Sequence, residues 1–127
     1  MARFEQSSSA IPDSVPLLRN AVARFLEEAS VDEPLVQTVK LAVSEALTNV
    51  VLHAYPDGHP GPVHLTATLE GSAAIVVTIS DEGRGMIPRA DSPGAGLGLP
   101  IIAQLAASVE ISHGDSDGTT LKMSFGG

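Results

Sequence analysis

Hydrophobic positions along the chain follow two different periods, and the first of them predicts two helices near the N-terminus. From Ser14 to about Ala29, apolar side chains recur every three or four residues, which is the spacing of one helix face. Ser14 can cap this helix, and Pro16 suits its first turn. The same spacing predicts a second helix from Asp32-Glu33-Pro34 to about Leu52. The two apolar stripes are Leu18, Val22, Phe25, Leu26 and Ala29, then Leu35, Val39, Val43, Ala46, Leu47 and Val50.

A period of two follows the Pro- and Gly-rich loop at 55–62 and predicts strands. The four predicted strands are Val63–Leu69, Ala74–Ser80, Val109–Ser112 and Thr119–Phe125. Asp81 to Gly96 forms a loop of about 16 residues, a length that is usually functional or disordered. A third helix, Leu99 to Ala107, is expected to turn Ile101, Ile102 and Leu105 inward. This order predicts an α/β (α+β) fold, a two-layer sandwich of helices on a mixed, mostly antiparallel sheet.

Size and composition narrow the class of protein. The 127 residues suit a single domain, with residues 1–10 as a flexible start. The net charge of −8 repels nucleic acid, so a direct nucleic-acid partner is not expected. The chain has no cysteine, which excludes disulfides and thiolate metal sites. Without an apolar run near the roughly 18 residues that span a bilayer, no membrane role is expected, and the protein is assigned to the cytoplasm.

Polar residues recur at four-residue spacing on the second predicted helix. Glu45, Asn49 and His53 form one ribbon, because four residues advance only about 40° around a helix with 3.6 residues per turn. One amide oxygen together with substrate phosphates is a normal ligand set for Mg²⁺. A solvated helix face produces the same spacing. This pattern alone leaves both interpretations open.

A second group of residues, Asp81-Glu82-Gly83-Arg84-Gly85, follows directly on a predicted strand. A carboxylate at that place can accept a hydrogen bond from an amino group such as that of adenine. Gly83 and Gly85 allow the backbone to approach a flat ring or to adopt positive φ. Asp and Gly are also common in ordinary turns, which is the alternative interpretation.

A third group places Gly94, Gly96 and Gly98 just before a predicted helix. Glycines there expose backbone N–H groups, and the helix dipole favours an anion at that end. The run lacks the Gly-Lys-Ser/Thr of a P-loop, and its alternating glycines do not form a dinucleotide fingerprint. A plain flexible loop is the alternative. His59, His64 and His113 match no metal-ligand spacing.

In this order, the three groups resemble the GHKL ATPase superfamily and, within it, the bacterial anti-sigma factor serine/threonine kinases. The resemblance spans the chain from about Ile11 to Phe125, and four motifs within that span carry it. They are the helix Glu45-Ala-Leu-Thr-Asn49-Val-Val-Leu-His53-Ala-Tyr55, the glycine boxes Asp81–Gly85 and Gly94–Leu99, and the late element Gly118-Thr119-Thr120.

The resemblance implies a histidine-kinase-like fold that binds ATP and Mg²⁺. It makes Glu45 the catalytic carboxylate, Asn49 the Mg²⁺ ligand and Asp81 the partner of the adenine amino group. The other nucleotide-binding residues that it implies are Gly83, Gly85, Gly94, Gly96, Leu97, Gly98, Leu99, and Thr119 or Thr120. Arg84 and Arg89 are candidates for a cationic role at the phosphates, with solvated loop arginines as the alternative. His53 contacts phosphate or metal-bound water, or else caps the helix end.

The resemblance also implies partners. Such kinases phosphorylate a STAS-type anti-anti-sigma protein on Ser or Thr and otherwise sequester a sigma factor, and a homodimer is the favoured assembly. A second class of function stays open: a regulatory binding module of the same fold that uses ATP or ADP as a switch and transfers little phosphate. The carboxylate of Glu45 favours the enzyme, because a pure switch does not need it. An α/β domain whose glycine loops are only turns is the third interpretation.

Overall fold

A five-stranded antiparallel sheet carries its helices on one face in the computed structural model, which describes residues 2–56, 59–71, 74–83, 98–113 and 118–126. In chain order the elements are β1 (Ala2–Ser9), α1 (Ser14–Glu28), α2 (Glu33–His53), β2 (Pro62–Glu70), β3 (Ala74–Asp81), α3 (Gly98–Leu105), β4 (Ser108–His113) and β5 (Thr119–Phe125). The predicted two-layer α/β sandwich is therefore confirmed. Every strand pairing within these ranges is antiparallel, so the sheet is more uniform there than the sequence predicted.

The strand order β1-β2-β3-β5-β4 puts the last strand of the chain beside the middle of the sheet. In this register Asp81 of β3 lies between Val63 of β2 and Thr119 of β5, and Thr119 lies in turn opposite His113 of β4. These four residues form one row across the end of the sheet. The topology thus brings the first glycine box and the late Gly-Thr element together.

The core lies between the sheet and α2. Strands β2, β3 and β5 bury alternate residues, as their sequence alternation predicts, and the buried apolar residues of the described chain form one cluster. Helix α2 contributes Val39, Val43, Leu47 and Val50 to that cluster. Helix α2 also packs against α1 and α3, so the helices together form one layer on one face of the sheet.

Helix α2 is more apolar than the sequence analysis recognised. By length and composition it could cross a membrane, with a mean hydropathy of 1.3 over an 18-residue window. That corrects the expectation that no run approaches this length. The buried stripe on α2 explains the composition, since a helix packed between a sheet and two other helices is apolar around much of its surface. We interpret α2 as a core helix.

Strand β1 replaces the flexible segment that was expected at residues 1–10. It pairs with β2 along its whole length, from Ala2 opposite Leu69 to Ser9 opposite Pro62. The pattern was hard to recognise because Gln6 and Ser8 take inward positions beyond Ala2 and Phe4. The Phe4 ring packs on Phe25 of α1, with ring centroids 5.6 Å apart, so contacts distant in sequence stabilise this strand.

Two smaller expectations about helix surfaces are wrong. Ser14 does not cap α1, because Asp13 holds the N-cap position without a side-chain hydrogen bond. The Ser14 hydroxyl instead donates to the backbone oxygen of Ser9 at 2.5 Å and tethers α1 to β1. Ile101 of α3 is 41% exposed, whereas its neighbour Ile102 is fully buried against α2. Ile102 and the partly buried Leu105, both predicted to point inward, pack α3 on the core.

Candidate functional site

Asp81 is a buried carboxylate at the end of a central strand. It is 5% exposed and lies on the same sheet face as the core residues Val77 and Ile79. Its Oδ1 accepts a hydrogen bond from the backbone N–H of Gly83 at 2.9 Å. Burial raises the pKa of the Asp81 carboxyl, and the backbone hydrogen bonds of Gly83 and Thr119 and the nearby His113 partly oppose that shift. Asp81 is thus held in one conformation with limited solvation.

Gly83 packs directly on the end of α2. A Cβ at this position would overlap the backbone carbonyl oxygen of Ala54 and lie 2.7 Å from its carbonyl carbon. No side chain fits there without moving backbone. Because Ala54 follows His53, the glycine turn after β3 and the C-terminal end of α2 are in contact. The glycine turn of the second group therefore lies against the end of the helix that carries the first group.

The polar ribbon on α2 is not a solvated helix face. Asn49 is 8% exposed, and Glu45 and His53 are half-buried. The hydroxyls of Ser44 and Thr48 beside them donate to backbone oxygens four residues earlier, at 2.8 and 2.7 Å. Asn49 makes no side-chain hydrogen bond within the described parts of the chain. Its amide therefore has limited solvation and hydrogen-bonding capacity that no described residue uses.

Of the late Gly-Thr element, Thr119 lies beside Asp81 and Thr120 does not. Thr119 is 3% exposed and shares its sheet face with Asp81, whereas Thr120 points to the opposite face. The Thr119 hydroxyl lies 3.4 Å from His113 Nδ1. A Cβ at Gly118 would lie 2.6 Å from the Asp81 backbone oxygen, so this glycine allows the strands to approach. Of the two threonines, Thr119 is the one placed beside Asp81.

The burial of polar side chains singles out these positions. Four polar or charged residues are buried among those that the structure describes: Ser14, Asn49, Asp81 and Thr119. Ser14 is accounted for by its contacts with β1. The other three are all predicted site residues. Buried polar groups are unfavourable unless they are paired or have a function.

The remaining predicted site residues belong to the long glycine loop. Arg84, Gly85, Arg89, Gly94, Gly96 and Leu97 lie outside the described residues. Gly98 and Leu99 form the first turn of α3, which agrees with the prediction that the glycine run leads into a helix. Among the residues described, no group of three or more His, Asp or Glu side chains is placed to hold a metal ion.

Two residues that the sequence pattern did not reveal, Tyr55 and His64, contact the glycine turn. The Tyr55 hydroxyl donates to the Pro62 backbone oxygen at 2.5 Å and accepts from the backbone N–H of Glu82 at 2.8 Å. His64 Nε2 lies 2.9 Å from Oε2 of the same Glu82. Tyr55 is the only tyrosine of the chain and follows a helix end, but neither fact reveals a contact across 27 residues.

The chain is similar to proteins of one known family. The chain matches the histidine kinase-like ATPase domain family over residues 8–125. The anti-sigma F factor of Bacillus cytotoxicus is 30% identical over 126 residues, covering 91% of this chain and 86% of that protein. The anti-sigma F factor of Bacillus thuringiensis (strain Al Hakam) is 29% identical with the same coverage.

Two solved structures are also similar. The RsbU and RsbW domains of a Mycobacterium tuberculosis protein match with a TM-score of 0.77 and 22% identity, over 98% of this chain and 32% of that one. This similarity supports the fold. The histidine kinase domain of a blue-light-activated kinase from Erythrobacter litoralis matches with a TM-score of 0.58 and 33% identity, over 72% of this chain and 44% of that one.

Proposed function

The chain belongs to the histidine kinase-like ATPase domain family, and we propose that it is an ATP-dependent serine/threonine protein kinase of the anti-sigma factor type. In this proposal it phosphorylates a STAS-type anti-anti-sigma protein and thereby controls the availability of a sigma factor. The observation that carries the proposal is the burial of Asn49, Asp81 and Thr119 at predicted nucleotide-binding positions.

The residues around Asp81 suit the adenine end of ATP. With Oδ1 engaged by Gly83, the other carboxylate oxygen is available to accept from the adenine amino group. Gly83 presents backbone rather than a side chain at this place, since a Cβ would meet Ala54. Thr119 lies on the next strand and adds a hydroxyl on the same face. The base is thereby recognised by groups that the fold already holds in place.

The polar face of α2 suits the phosphate end. Asn49 supplies an amide oxygen for Mg²⁺, and the substrate phosphates and water complete the ligand set. ATP with Mg²⁺ supplies the phosphoryl group and neutralises the charge that its transfer develops. Gly94, Gly96, Leu97, Gly98 and Leu99 are proposed to cover the phosphates. Arg84 and Arg89 are the proposed cationic groups there, and His53 is a candidate contact to phosphate or metal-bound water.

Glu45 is the proposed catalytic residue. It lies one helical turn before Asn49 and is half-buried, so its carboxylate borders the phosphate end of the site. There it orients the Ser or Thr hydroxyl of the protein substrate and accepts its proton as the phosphoryl group is transferred. A cytoplasmic homodimer is the proposed working form.

The proposal is tested with the protein, γ-labelled ATP and the STAS-type proteins of the same organism. We expect label on a Ser or Thr of one partner, and loss of that label in a Glu45→Ala variant. Tight, nucleotide-dependent binding of the partner without label would favour the switch module. Failure to bind any adenine nucleotide would refute both.

A further inference from the structure

The Tyr55 hydroxyl joins three parts of the chain that border the adenine end of the proposed site. Tyr55 itself follows α2, Pro62 opens β2, and Glu82 lies between Asp81 and Gly83. A carbonyl oxygen can only accept and a backbone N–H can only donate. The phenol therefore donates to Pro62 and accepts from Glu82, at 2.5 and 2.8 Å, and uses its donor and one acceptor position.

The surroundings of the ring hold this hydroxyl in place. The ring packs on the hydrophobic core, and a Cβ at Gly61 would lie 2.5 Å from Tyr55 Cζ, so the backbone of Gly61 passes directly over the ring. Burial raises the pKa of Tyr55, against the opposing hydrogen bond from Glu82. The phenol therefore stays protonated at neutral pH and keeps its bond to Pro62.

The same turn is held on its other sides. Gly83 rests on the carbonyl of Ala54 and donates to Asp81, while the Glu82 side chain meets His64 in solvent. Among the described residues, the Tyr55 hydroxyl is the group that holds the backbone N–H of Glu82, between Asp81 and Gly83. Without it, the Glu82 N–H loses its partner and the turn can rotate, which changes where the Asp81 carboxylate points.

We propose that Tyr55 is a positioning residue for the adenine end of the nucleotide site, holding the Asp81–Gly83 turn so that Asp81 meets the base. This inference rests on the proposed function. Tyr55 acts through the turn and not by touching the nucleotide. It therefore governs affinity for every adenine nucleotide alike, whatever the number of phosphates.

The test is isothermal titration of a Tyr55→Phe variant with ATP, ADP and AMP. Phe keeps the ring and removes only the hydroxyl. We expect Kd to rise about tenfold for all three nucleotides, which corresponds to about 1.4 kcal/mol, while the fraction of binding-competent protein stays at the wild-type level. In the kinase assay KM for ATP rises and kcat is unchanged.

His64→Ala is the matched control, because it removes the contact to the exposed Glu82 carboxylate and leaves the Glu82 N–H on Tyr55. Its affinities are expected to equal those of the wild type. Gly61→Ala, which displaces the Tyr55 ring without deleting the hydroxyl, should weaken binding in the same direction as Tyr55→Phe.

Three results would overturn the role of Tyr55. They are wild-type affinities in Tyr55→Phe, a loss confined to ATP, and an unchanged Kd with fewer competent molecules, which is the signature of a purely structural defect. A wild-type protein that binds none of the three nucleotides would instead refute the proposed function.

Discussion

Replacing Asp81 with Asn separates the affinity of the site from the stability of the fold. The backbone N–H groups of Gly83 and Thr119 donate to this carboxylate, Gly83 at Oδ1, and the proposed role gives the other oxygen to the adenine amino group. An Asn side chain has one acceptor oxygen and one NH₂ donor group. Whichever way its amide turns, at least one of these N–H donors faces the NH₂ group.

The expected loss of affinity follows from that count. A hydrogen bond to a charged group contributes about 1.5–3 kcal/mol, so Kd for ATP should rise about 10- to 150-fold. A larger loss is expected where the amide also disturbs the turn that carries Gly83. The adenine end is affected, so AMP and ATP should lose affinity by the same factor.

Stability should change in the opposite direction. Burial raises the pKa of Asp81 in the folded state, so between the unfolded-state pKa and the folded-state pKa the folded protein binds more protons than the unfolded one. Its free energy of unfolding therefore falls as pH rises through that interval and stays at the lower level above it. Asn carries no charge and escapes this loss. Asp81→Asn should be at least as stable as the wild type at neutral pH, with the difference vanishing below the ordinary pKa of Asp.

Titration calorimetry with ATP and urea denaturation at several pH values measure the two effects. Asp13→Asn is the control, because it removes the same charge at an exposed position. Asp13 also makes no side-chain cap hydrogen bond that the substitution could break. Unchanged ATP affinity in Asp81→Asn would refute the placement of the base. A variant less stable than the wild type at neutral pH would refute the reasoning from burial.

Three further tests address other parts of the molecule. Glu45→Ala should keep its affinity for Mg-ATP and lose phosphotransfer, and full activity in the labelling assay would remove Glu45 from catalysis. In Gly83→Ala the new methyl group meets the backbone of Ala54. The free energy of unfolding should therefore fall by about 1–3 kcal/mol, as it does at overpacked sites, and the affinity for ATP should also fall. A wild-type urea midpoint would contradict that contact. Leu26→Ala in the core should lower the free energy of unfolding, measured by urea denaturation, by about 2–5 kcal/mol. Leu52→Ala, at a position 63% exposed, should change it by under about 0.5 kcal/mol. Equal effects of the two substitutions would refute the assigned burial.

The core elements were predictable because their signals are local. The helical stripe that includes Leu18 and Val22, and the alternation from Val63 to Leu69, each repeat with the period of a single element. Strand β1 was not predictable in the same way, because Gln6 and Ser8 interrupt its apolar face. Its pairing depends on β2, more than fifty residues away in the chain.

The order of motifs in the sequence also identified the class of site. The four-residue spacing of Glu45, Asn49 and His53 puts them on one side of a helix whatever that helix contacts. Asp81 follows the last residue of the alternation that predicts a strand, so its place at the strand end was also predictable. What the sequence left open was whether the ribbon is solvated or buried. Asn49 proved to be buried and its neighbours half-buried, since α2 lies between the sheet and two helices.

By itself, then, the sequence determined the helices, most of the strands, the kind of fold and the chemistry of the groups around Asn49 and Asp81, all of which follow from periodicity and residue type. Tertiary structure alone decided that Thr119 and not Thr120 lies beside Asp81. It also decided that Gly83 rests on Ala54 and that the Tyr55 hydroxyl bonds the Glu82 N–H in the turn from Asp81 to Gly83. The physical reason is that burial and register arise from contacts between distant segments. A side chain's period places it on a face of its own element, and the packing of the whole chain decides what that face meets.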